Sequence, residues 1–171
     1  KVFILKDKEY NKTKISIDIL KEPLLKKYRN TSVPFIQEYM DAAISRLLIA
    51  RLKDGIVSNN LPITDLKVGK GNFMNIHNLD AFSITFETLP NMIYSSIAYV
   101  NPEIGKIARY GFNSQELSRS KDIYFRELEK IYDNRLKISN DVYLQKAIDN
   151  VYEDATLASV ELKFEIMKEI L

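Results

Sequence analysis

The chain has 171 residues, 46% of them hydrophobic and 28% charged, with no cysteine and a formal net charge of +2. This length and balance suit one folded domain and exclude a disordered chain, a disulfide framework and thiolate metal sites. No apolar run approaches the roughly 18 residues that a membrane span needs.

The charge is unevenly spread. Residues 1–30 carry nine Lys/Arg against four Asp/Glu, and the remainder sixteen against nineteen. The basic segment reads as an edge hairpin kept soluble by its lysines. Contact with nucleic acid or an anionic surface is the alternative, but Phe3, Tyr10 and Tyr28 are too few aromatics for a stacking platform. The sequence starts at Lys1 and shows no charged n-region followed by an apolar stretch, so it reads as a mature form or a piece of a larger protein.

"KVFILKD" is a partner strand or a linker. "TKISIDIL" (13–20) alternates, with Ile15, Ile17 and Ile19 on one face and Lys14, Ser16 and Asp18 on the other, which predicts a half-buried strand. "KEPLLKKYRN" predicts a loop. Thr31 and Ser32 cap a helix with Pro34 in its first turn, and Ile36, Met40, Ala43, Leu47 and Ala50 recur at helical spacing. Gly55 is the expected C′ residue that ends it. Residues 64–88 predict an antiparallel hairpin, with Leu66 and Val68 in one strand and Phe82, Ile84 and Phe86 in the other. Pro90-Asn91 opens a helical region that Pro102 is expected to kink or divide.

In "ARYGFNSQEL" (108–117), Gly111 ends one helix in a left-handed conformation, Asn113 caps the next, and Glu116 sits at N3, the arrangement of a capping box. Leu117, Lys121, Tyr124, Leu128, Ile131 and Arg135 line up along the helix that follows. "ISND" (138–141) recaps the chain or bends the helix, and "TLASVELKFEIMKEIL" is a last amphipathic helix. The order strand, helix, two strands, then helices predicts an α+β domain. An antiparallel sheet is covered on one face by helices, and the C-terminal half is helix-rich.

Chemistry is scarce. His77 is the only histidine and falls in the predicted turn "NIHNLD". A catalytic zinc needs three protein ligands and an open position, and a serine triad would have to use this one imidazole. "GKGN" (69–72) is not the G-x-x-x-x-G-K-[ST] pattern of a phosphate loop and reads as a flexible or bulged strand. Tyr124, Tyr132, Tyr143 and Tyr152 sit at spacings that suit packing with the hydroxyl at the rim. Arg51, inside the apolar run "LLIARLKD", pairs with a carboxylate, caps its own helix, or contacts a bound peptide.

"YGFNSQELSRSKDIYFRELEKIYDNRLKISNDVYLQKAIDNVYED" resembles the second half of the non-catalytic domain of the insulinase/pitrilysin family of zinc peptidases. Gly111, Phe112, Glu116, Leu117, Arg119 and Lys121 match the family's joint and helix, as do Tyr132, Arg135 and Tyr143. "LKDKEYNKTKISI" is similar to the family's entry strand, "AISRLLIARLKD" to its first helix, and "GKGNFMNIHNLDAFSITF" to its strand pair. The resemblance implies an enzyme of two or four repeated α+β domains, whose first carries H-x-x-E-H and zinc. Later domains are catalytically silent and help to enclose the peptide.

Residues 1–171 are then a single such domain, with no cofactor of their own and zinc in the parent's catalytic domain. The expected partners are that catalytic domain, peptide held by the parent and a second copy of the fragment, with neither nucleic acid nor a membrane span. The bland alternatives are a scaffold of the same fold without peptidase activity and an unrelated binding module. Arg51 fits the arginine with which the family's final domains grip substrate, but Ser58 and its neighbours stand where the accompanying tyrosine is expected. Pro102 and Gly105 interrupt a helix that is continuous in the family. The absence of cysteine leaves cytosol, periplasm and exterior open, and the bacterial periplasm or cell envelope is favoured.

Overall fold

The computed structural model describes residues 2–5, 9–73, 79–153 and 157–171. Strand β1 (Thr13–Lys21) is followed by a single helical turn, α1 (Lys26–Arg29), and the long helix α2 (Val33–Ser58). Strands β2 (Thr64–Asn72) and β3 (Asp80–Thr88) come next, then α3 (Ile93–Tyr110), α4 (Ser114–Asp133), α5 (Asn140–Glu153) and α6 (Val160–Ile170). This is the α+β order expected from the sequence.

The sheet is antiparallel in the order β1-β3-β2, so the strand last in sequence is central. β1 pairs with β3 in the register Ile15↔Phe86, Ile17↔Ile84 and Ile19↔Phe82. Because side chains alternate, this register puts the apolar residues of both strands on one face. Val68 of β2 joins them opposite Ile84. Leu48 and Leu52 of α2 and Val100 of α3 close over that face, and Leu52, Ile84, Phe86 and Val100 are fully buried. Ile19 departs from expectation: on the edge strand opposite Phe82, it stays half exposed.

A second core lies at the other end of α2. Phe35 packs there with Tyr124 and Leu128 of α4 and Met167 of α6. The broad apolar surface of α2 is thus used twice, against the sheet by its C-terminal half and against helices by its N-terminal half. The α6 side chains Phe164, Ile166 and Met167 are spent in this core.

Several local expectations are corrected. Thr31, not Ser32, supplies the side-chain cap of α2, its Oγ1 accepting from Val33 N at 3.2 Å. Helix α2 does not stop at Gly55. It runs on to Ser58, and Asn60 takes the left-handed conformation with φ 49°. Gly55 is small because of packing: a Cβ there would lie 1.6 Å from the hydroxyl oxygen of Tyr99, on α3. α3 is continuous through Pro102 and Gly105. The carbonyl that Pro102 leaves without a donor belongs to Ala98, and both residues are exposed, so water can satisfy it.

The irregularity of β2 lies between Thr64 and Lys67, where Asp65 has φ 46°, rather than at the glycines of "GKGN". Val2–Leu5 form no strand, so β1 is a sheet edge and not half of an amino-terminal hairpin. Within "KEPLLKKYRN" α1 makes one turn, tied by Arg29 Nε donating to Leu24 O at 2.9 Å. His77 lies outside the described residues.

Candidate functional site

The α3–α4 joint brings together most of the residues singled out from the sequence. Gly111 ends α3 with φ 66° and ψ −149°, and its N–H donates to Ile107 O at 2.8 Å. Those angles fall outside the ordinary left-handed well, in a region essentially reserved for glycine. The chain then turns into α4 through a reciprocal cap. Asn113 Oδ1 accepts from Glu116 N and Glu116 Oε2 accepts from Asn113 N, each at 2.8 Å.

Glu116 also reaches across to α2. Arg51 Nε donates to Oε1 at 3.0 Å and Nη2 to Oε2 at 2.7 Å, a bidentate pair. The guanidinium lies over the Phe112 ring, 5.0 Å from its centroid. One carboxylate therefore satisfies the N-cap N–H of α4 and locks α2 to the joint. Arg51 beside it, and then the Asn113 N–H, hold the Glu116 carboxyl below its ordinary value. Arg51 is correspondingly held above its own by Glu116. Its guanidinium is engaged inside the domain rather than presented outward.

The other exposed chemistry is the sheet face turned away from the helices. There Asp18 Oδ1 accepts from Ser16 Oγ at 2.9 Å and from Ser83 Oγ at 2.5 Å, and Ser16 and Thr85 hydroxyls lie 3.3 Å apart. At one end Glu87 accepts from the Tyr10 hydroxyl, and from Lys12 Nζ at 3.0 Å. Tyr10 and then Lys12 hold the Glu87 carboxyl below its ordinary value. The Tyr10 phenol is pushed up, chiefly by donating to Glu87. This is a hydroxyl and carboxylate surface without an assembled nucleophile and base. Among the described residues no three His, Cys, Asp or Glu side chains come together as a metal site requires.

The tyrosines divide. Tyr124 is buried edge-on to Tyr39 with centroids 5.0 Å apart, and burial pushes its phenol up to about 12. Tyr132 stacks on Phe164 at 4.4 Å, with Arg135 over its other side at 4.2 Å. Tyr143 and Tyr152 on α5 are exposed. Of the basic amino-terminal residues, Lys12 pairs with Glu87 and Lys21 with Asp41. The Arg51–Glu116 partnership was missed as a pair in the sequence. The only available signal was the placement of each residue, an arginine in an apolar run and a glutamate at N3.

No protein-family model matches the sequence, and no curated protein matches it in sequence. Solved structures are similar to it. The periplasmic protease PqqL from Escherichia coli superposes with a TM-score of 0.77 at 16% identity, over 95% of this chain and 18% of that one. A predicted insulinase family protease from Yersinia pestis superposes at 0.71 and 13% identity, over 91% of this chain and 33% of its own. The first half of PqqL superposes at 0.69 and 13% identity, over 91% of this chain and 32% of that half. The chain therefore has the fold of an insulinase-type protease domain and spans about a fifth to a third of the length of these proteins. No described helix is long and apolar enough to cross a membrane.

Proposed function

We propose that this chain is a catalytically silent domain of an insulinase-type zinc endopeptidase and forms part of the chamber that encloses peptide substrate. The observation that carries the proposal is the match of more than nine-tenths of the chain to units of larger proteases, in a sequence that has one histidine and no H-x-x-E-H. The described donors do not fit a zinc ion, so no hydrolytic step is assigned to them. When bound in the catalytic domain of the same protein, zinc would supply Lewis-acid activation of water. What this chain's own residues supply is a rigid wall, two cores joined through α2 and fastened at Arg51–Glu116.

The partners are that catalytic domain and, through the parent enzyme, a peptide. Nucleic acid is not proposed as a partner: Lys12 and Lys21 of the basic segment are paired within the domain. The periplasmic setting of one similar protease supports a bacterial periplasm or cell envelope. A scaffold of the same fold without peptidase activity is the second reading. It is favoured by the engagement of Arg51 with Glu116, which leaves the arginine offered for substrate contact occupied.

Metal content tests the proposal. The longer polypeptide is expected to retain one zinc per chain after dialysis, carried by an H-x-x-E-H outside these residues, and the 171-residue chain to retain none. Stoichiometric zinc in the 171-residue chain, lost on His77→Ala, would overturn the assignment. A metal-free longer polypeptide without the motif would leave the scaffold.

A further inference from the structure

An amphipathic helix on a globular protein turns its apolar side toward the body. α5 does the reverse. At about 100° per residue, Tyr143, Leu144, Ala147, Ile148, Val151 and Tyr152 share one side of the helix, and Lys146, Asp149 and Asn150 the other. The apolar side is the open one, with Leu144 61%, Val151 75% and Tyr152 81% exposed. Lys146, Asp149 and Asn150 are partly covered, and no described α5 side chain is buried. Scattered apolar residues on a surface need no explanation, but a contiguous apolar side held outward marks a contact surface.

We propose that this outward side of α5 is a docking surface covered by another domain of the longer polypeptide. The inference rests on the assignment of the chain as one domain of a multidomain protease. Three observations select this occupant. The first is size: a 14-residue helix is about 21 Å long and about 10 Å wide. Its footprint, on the order of 200 Å², is far below the roughly 800 Å² per partner of a stable association between separate chains. A second copy would therefore be held too weakly, whereas a tethered domain has an effective concentration in the millimolar range and needs little area.

The second observation is the company the fold keeps. In the solved proteases most of the chain, all but 18% to 33% of it, lies outside the matching unit. The third is charge. α5 carries Asp141, Asp149 and Glu153 against Lys146, the wrong balance for an anionic bilayer, where a surface helix needs Lys and Arg. Tyr143 and Tyr152 mark the two borders of the apolar side. The covering surface is thus apolar at its centre, with polar groups at its rim to meet two phenols.

Thiol labelling tests this, because the chain has no cysteine of its own. Ile148→Cys and Val151→Cys are placed separately in the 171-residue chain and in the complete gene product. Maleimide reaction at the α5 peptide is followed by mass and normalised to the rate in urea. The thiol is expected to react freely in the 171-residue chain and at least about tenfold more slowly in the longer polypeptide. Hydrogen exchange of the α5 amides in the unsubstituted proteins gives the same comparison without a substitution that could disturb folding.

Equal rates in the two forms overturn the proposal, as does a complete gene product with no further domain. Protection of the 171-residue chain that grows with its own concentration would assign the surface to a second copy, and protection by neutral phosphatidylcholine vesicles to a membrane; either result also overturns it. Labelling does not depend on catalysis. A longer polypeptide that protects α5 but lacks zinc and activity upholds this inference while removing the peptidase assignment.

Discussion

Removing the Glu116 carboxylate unfastens one half of the α4 cap and the α2 clasp together. In Glu116→Ala the Asn113 N–H loses its acceptor and Arg51 loses both of its hydrogen bonds. Asn113 Oδ1 still accepts from the residue-116 N–H, so losing the other half of the box costs about 0.5–1 kcal/mol. The Arg51 and Glu116 side chains are 29% and 27% exposed, so solvent screening limits the pair to about 0.5–1 kcal/mol even with bidentate geometry. Urea melts are therefore expected to show about 1–2 kcal/mol of destabilisation.

Glu116→Gln keeps an acceptor for Asn113 N–H and loses the charge, so it is expected to cost about 0.5–1 kcal/mol. A cycle with Arg51→Met isolates the clasp and is expected to give a coupling of similar size. The carboxyl is held below its ordinary 4.5 by Arg51 first and the Asn113 N–H second. Its contribution is complete above about pH 4.5 and is lost as pH falls through the depressed folded value. The gap between parent and Glu116→Gln is thus expected to close on acidification. Zero coupling in the cycle, or a Glu116→Ala melt within about 0.3 kcal/mol of the parent, smaller than a typical surface substitution, would refute the clasp.

Gly55→Ala is expected to destabilise by about 1–2 kcal/mol, because overpacking against Tyr99 outweighs the gain in helix propensity. Gly105→Ala, with open space beside it in α3, is expected to stabilise by about 0.5–1 kcal/mol; thermal melts compare the two. Gly111→Val is expected to cost at least about 1 kcal/mol and Asn113→Ala about 1 kcal/mol, and melts that overlay the parent would misplace the joint. The Tyr124 phenol, pushed up to about 12 by burial, favours the folded state fully below pH 10, and that stability is lost as pH rises from 10 towards 12. Phenolate absorbance and unfolding are therefore expected to rise together there, and Tyr124→Phe to blunt the alkaline transition.

What the sequence displayed was local. The alternation of Ile15 and Ile17 and the Asn113–Glu116 box are written within a few residues, and the structure forms both as spelled. Gly55 was misread because its constraint comes from Tyr99, 44 positions later, and a glycine near a helix end has the same local signature whether it stops the chain or admits a ring. Pro102 was overweighted because its cost depends on whether water reaches the freed carbonyl, which is a tertiary fact. Arg51 and Glu116 were each singled out, but nothing in the spacing of residues 65 positions apart joins them. α5 shows the same limit: its wheel is plainly amphipathic, yet the side facing the body is fixed by what surrounds the helix.

The central claim, that this unit walls a peptidase chamber without performing the chemistry, is tested most directly by deletion and add-back. Cleavage of a fluorogenic peptide is measured for the complete gene product, for a form lacking these 171 residues, and for that form with the 171-residue chain supplied in trans. The account predicts that deletion lowers kcat/KM by about 100-fold, the scale of losing positioned substrate. It also predicts that the added chain restores part of the rate and that the chain alone cleaves nothing. Undiminished activity after deletion, or cleavage by the 171-residue chain alone, would contradict it.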